Sequence, residues 1–90
     1  MLHLNTEAAL KACMNNDLES LQHLIPSCLG PDSRVQKVRL RERPYSAVPF
    51  LCITIAYGSI DCFEYLIEKG ATTYYADLIL HYLISFFIFL

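Results

Sequence analysis

No cationic, apolar leader opens this chain: its first ten residues contain no continuous apolar run and already carry Glu7, so no export signal is implied. Nor is there an excess of charge of one sign. Seven Lys and Arg against nine Asp and Glu give a net charge of −2, which excludes the strongly basic signature of a whole-chain nucleic-acid binder. The four cysteines, at 13, 28, 52 and 62, include no CxxC pair. They read as reduced thiols of an intracellular, cytoplasmic protein and not as a disulfide framework. A spanning apolar run is also missing. Residues 78–90, LILHYLISFFIFL, bear no formal charge, yet thirteen helical residues cover about 20 Å of a hydrocarbon core roughly 30 Å thick. Reaching spanning length would bury Asp77, which costs about 2.5 to 3.5 kcal/mol at the membrane centre. Membrane association through 78–90 is therefore the second reading of this segment, after an apolar C-terminal helix that covers a core.

What is present points to one folded domain. Ninety residues suit a single core, and 54% apolar against 18% charged residues excludes wholesale disorder. The chain also repeats itself. With Asn16 placed over Gly58, an offset of 42, Asp17, Leu18, Glu19, Leu21, Leu24 and Ile25 fall on Ser59, Ile60, Asp61, Phe63, Leu66 and Ile67. Each pair agrees in chemical type, and the apolar members draw one stripe down a helix. Asp17 and Ser59 stand where N-cap acceptors belong, and Glu19 and Asp61 place negative charge at the positive end of the helix dipole. Pro26 closes the first helix, and Gly70 supplies a left-handed residue after the second. Upstream of each lies another helical pattern, residues 6–14 and 49–57, separated from its partner by Asn15 and Asn16 or by Gly58. Asn and Gly tolerate positive φ best, so both breaks suit a tight helix-turn-helix.

Between the pairs, residues 27–47 open with Gly30, Pro31, Asp32 and Ser33 and close with Pro44, Tyr45 and Ser46, which are loop residues. Within them, Arg34 to Arg43 read RVQKVRLRER and carry a net +4 against −6 for the rest of the chain. Val35, Val38 and Leu40 lack a clean period, although Val38, Leu40 and Glu42 alternate with Arg39, Arg41 and Arg43 as a hairpin arm could.

The second helix pair resembles an ankyrin repeat. Gly58-Ser-Ile-Asp-Cys-Phe-Glu-Tyr-Leu-Ile-Glu-Lys-Gly-Ala71 follows G-H-x-x-V-V-x-x-L-L-x-x-G-A over fourteen residues without a gap. Gly58, Phe63, Leu66, Ile67, Gly70 and Ala71 take the family's turn, inner apolar and closing positions. Upstream the pattern is looser, with Pro49 one place early and Cys52 where the family has His. The first copy, with Asn16 for the glycine, is similar to divergent, protist-type units. A period of 42 against the family's roughly 33 implies an insertion in the inter-repeat finger. Because a solenoid unit cannot bury its apolar face alone, residues 78–90 are expected to cover the last face. The resemblance implies an all-α helix-turn-helix solenoid with two recognisable repeats plus an apolar C-terminal helix. It divides into an ankyrin-like domain over 1–77, with units at about 5–26 and 48–71 and an inserted loop at 27–47, followed by the tail at 78–90.

Site chemistry is sparse. His3, His23 and His81 are isolated, and no His and Cys stand at ligand spacing, so no metal is expected. No nucleophile, base and orienter can be assembled, so neither an enzyme nor a cofactor is expected; Cys62, in a family Val position, reads as a small buried hydrophobe. Two candidate partner-binding groups remain. Arg34, Lys37, Arg39, Arg41 and Arg43 offer a cationic finger suited to phosphates or carboxylates and able to dock an acidic partner surface, or else a solvated loop. Tyr57, Tyr74 and Tyr75 offer aromatic anchors at positions where ankyrin arrays meet partners, although Tyr74 and Tyr75 can equally pack beneath the tail. The function implied by the resemblance is non-catalytic binding of another protein, without specific nucleic-acid recognition and with self-association through the tail as a further route. The alternatives are a small tail-anchored or membrane-associated protein, or a fragment of a longer ankyrin repeat protein.

Overall fold

In the computed structural model, residues 2–40 and 42–72 are described. The C-terminal helix expected over 78–90, with its covering, self-associating or membrane-inserting role, lies outside them. Six elements follow in order: α1 Leu2–Asn15, α2 Leu18–Leu24, β1 Arg34–Leu40, β2 Arg43–Pro49, α3 Phe50–Tyr57 and α4 Ile60–Glu68.

The helix pairs arise from the local chemistry of their breaks. Asn16 adopts φ 53° and Gly58 φ 68°, both left-handed. This conformation costs most residues about 1–2 kcal/mol, and Gly and Asn bear it best. Asp17 then starts α2, accepting the Ser20 N–H at 3.2 Å on Oδ1 and the Ser20 hydroxyl at 2.6 Å on Oδ2. Those bonds hold its carboxyl below the ordinary carboxylate range.

Ser59 does not repeat this role. It is buried, and its hydroxyl donates to the Cys13 carbonyl at the end of α1. Asn16 takes over instead: its Oδ1 accepts the Cys62 N–H at 3.1 Å, and its Nδ2 donates to Asp61 Oδ2 at 3.1 Å. The start of α4 is thus capped from the other helix pair. Two further bonds join the pairs, Cys62 Sγ to the Ala12 carbonyl at 3.6 Å and the Tyr65 hydroxyl to the Ile25 carbonyl.

The all-α class expected from the sequence is overturned by residues 34–49. They form an antiparallel two-stranded sheet, so the fold is mixed α/β and not an all-α solenoid. The register pairs Arg34 with Pro49, Val35 with Val48, and Lys37, Val38, Arg39 and Leu40 with Ser46, Tyr45, Pro44 and Arg43. The ladder is interrupted between Gln36 and Ala47, where Ala47 takes φ 53°. That interruption explains the missing period in the sequence: Val35 and Val48 face the core near the base of the hairpin, while Leu40 reaches it from a position of opposite parity. Pro44, which lacks an N–H, is tolerated because a two-stranded sheet is all edge. The cross-strand pairs Val38–Tyr45 and Val35–Val48 supply the β-branched and aromatic contacts that hold such a sheet.

Helices and hairpin share one core. It takes Ala9, Ala12 and Cys13 from α1, Leu21 from α2, Val35, Leu40 and Val48 from the hairpin, and Cys62 and Leu66 from α4. At its centre lies α3, where Phe50, Leu51, Cys52, Ile53 and Thr54 are all buried, so this helix is apolar around its circumference. The Thr54 hydroxyl is satisfied by the Leu51 carbonyl at 2.6 Å. Burying side chains such as Phe50 or Leu66 contributes about 1.5–3 kcal/mol each. Among the described residues, no helix is long and apolar enough to cross a membrane.

Candidate functional site

The cations singled out in the sequence are held by the hairpin, whose base is fixed in the core through Val35 and Val48. Lys37, Arg39 and Arg43 are exposed, and Arg34 is half-buried. Two guanidinium groups are partly engaged by the hairpin itself: Arg34 Nη1 donates to the Ala47 carbonyl at 3.2 Å, and Arg39 Nη1 to the Glu42 carbonyl at 3.1 Å. These contacts hold the two side chains against the hairpin. Arg41, Tyr74 and Tyr75 lie outside the described residues. Tyr57, at the end of α3, is half-buried and packs against the core, so it serves as wall material more than as an exposed anchor.

Two hollows flank β1. One, of about 730 Å³, opens between α1 and β1 and is lined by Thr6, Glu7 and Leu10 on one side and by Arg34, Val35, Gln36 and Lys37 on the other. A second, of about 420 Å³, borders Lys37, Val38, Arg39 and their cross-strand neighbours Pro44, Tyr45 and Ser46. Lys37 lines both. Glu7, Leu10 and Gln36 carried no signal in the sequence, because their place in the groove depends on how far α1 stands from the hairpin, which no local pattern encodes.

Three of the four thiols, Cys13, Cys52 and Cys62, are poorly placed for nucleophilic chemistry. Cys13, Cys52 and Cys62 are buried and Cys28 is exposed, all of them free. Burial pushes the Cys52 and Cys62 thiols up to about 11. Burial raises Cys13 as well, with the neighbouring Cys62 adding to it. A thiol so shifted holds its proton at neutral pH, and the thiolate is the attacking form. Among the described residues, no three His, Cys, Asp or Glu side chains converge as a metal site would require.

Compared with family models, with curated proteins and with solved structures, the chain shows no match.

Proposed function

We propose that this chain is a non-catalytic protein-binding module, the role implied by its ankyrin-like helix pairs, and that the β1–β2 hairpin is the element that meets the partner. One observation carries the reading. Three exposed cations, Lys37, Arg39 and Arg43, stand on a hairpin whose base is anchored by buried Val35 and Val48, in a segment of net +4 attached to a body of net −6. A rigid mount lowers the entropy lost when charged side chains are ordered on binding, and segregated charge steers encounter toward an acidic surface. The binding is non-covalent and calls for no cofactor.

Affinity capture with the full chain beside an Arg39→Glu/Arg43→Glu variant, at low and high salt, tests the reading. The native chain is expected to retain a saturable partner at low salt, and the variant to release it. Retention by both removes Arg39 and Arg43 from the interface; the absence of any saturable partner removes the binding role.

A further inference from the structure

The groove between α1 and β1 has a shape that the exposed cations alone do not explain. Arg34, Val35, Gln36 and Lys37 are consecutive, and all four border it. Successive side chains of a strand point to opposite faces, so a hollow touched by four in a row follows the strand's edge and not one of its faces. β1 has β2 on one side only, and among the described residues no strand lies along its other edge. The wall opposite is α1, with Leu10 half-buried and Glu7 exposed. An edge of this kind is a template for a further extended segment, whose main chain can add to the ladder while side chains enter flanking hollows.

Resting on the protein-binding reading above, the geometry points to β1 as the docking edge for an extended acidic segment of a partner protein, added as a third strand in the α1–β1 groove. Four strand residues span about 13 Å, room for a stretch of four or five residues. Val35 and Leu10 supply an apolar floor, which favours an apolar residue at alternate positions of the incoming segment. The exposed Lys37 sets its charge. Carboxylates can meet Lys37, which is exposed on β1. A second copy of β1 would instead bring its own Arg and Lys against those of the first, and like charges placed across strands repel. Glu7 excludes acid from the α1 side of the groove, so the segment's carboxylates face the strand.

The test uses the full chain with three capped peptides of about seven residues: alternating Glu and Val, alternating Lys and Val, and Glu alone. Binding is followed by fluorescence anisotropy, and the contact site by amide chemical shifts and hydrogen exchange. The Glu-Val peptide is expected to bind best, to shift and protect amides at 34–37, and to perturb Glu7 and Leu10. Lys37→Glu and Leu10→Glu, each on a solvent-facing or half-buried position, should weaken it at least about tenfold with folded-state spectra retained. Equal binding of the Lys-Val peptide, shifts confined to the hairpin tip near Arg39 and Arg43, or no binding by any peptide would each overturn the groove. If the partner captured by the native chain is held equally by Lys37→Glu and Leu10→Glu, the groove fails while the binding module stands. If no partner is captured and no peptide binds, both fail.

Discussion

Asn16 does two things that its counterpart Gly58 does not combine. It takes a left-handed turn, as Gly58 does, and its side chain also caps α4. Two substitutions separate these effects. Asn16→Gly keeps the turn and loses the cap, and should lower stability by about 1 kcal/mol; Asn16→Ala adds the strain of positive φ and should cost roughly 1–2 kcal/mol more. Urea midpoints at constant slope measure both, and a glycine variant as stable as the native chain would show that the cap contributes nothing. The cysteines give a second prediction at this scale. A thiol reagent at mildly alkaline pH should modify Cys28 quickly and leave Cys13, Cys52 and Cys62 untouched until the chain unfolds. Because Cys52 and Cys62 ionise more readily unfolded, near 9.0, than folded, near 11, the stability they contribute is complete below pH 9 and falls as pH climbs through that interval. Denaturation followed from neutral to alkaline pH should show that loss, and it should shrink in a Cys52→Ala/Cys62→Ala variant.

Helices announced themselves through short-range chemistry, and the hairpin only in part, through the alternation at 38–43. The i, i+3, i+7 spacing of Leu18, Leu21 and Ile25, the cap at Asp17 and the turn residues Asn16 and Gly58 are all local, and the structure places helices and left-handed turns there. Arg34–Leu40 and Arg43–Pro49 depend instead on each other and on a core assembled from all four helices. Their alternation is broken at Ala47, so Gly30, Pro31 and Pro44 outweighed Val35, Val38 and Val48 in the sequence and suggested a loop. Ser59 misled for a related reason: a serine before a helix reads as a cap, but here its hydroxyl is claimed by the Cys13 carbonyl. The groove was half legible, its cations evident and its α1 wall invisible. One element-scale consequence follows from Leu40, which is 1% exposed at the tip end of β1 although it sits beside a charged turn. Leu40→Ala should cost about 2–5 kcal/mol by leaving a cavity, whereas Arg39→Ala on the same strand should stay within about 0.5 kcal/mol; thermal or urea unfolding of the two variants decides.

At the scale of the molecule, one cluster of buried side chains runs through α1, α2, the hairpin, α3 and α4. Neither helix pair owns a core, since Ser59, Cys62 and Tyr65 of the second satisfy carbonyls of the first. Unfolding should therefore be a single transition, with far-ultraviolet dichroism and the amide resonances of residues 34–49 changing together. Two separated transitions would show the hairpin to be an independent appendage. The bond from Asn16 to the Cys62 amide, across forty-six positions, also bears on biosynthesis. As the polypeptide leaves the ribosome, the N-terminal pair emerges first but without a core of its own, and α4 arrives later with bare amides at its start. Neither half can wait folded for the other, so fragments cut between the two should be unstructured apart and gain helix only when mixed.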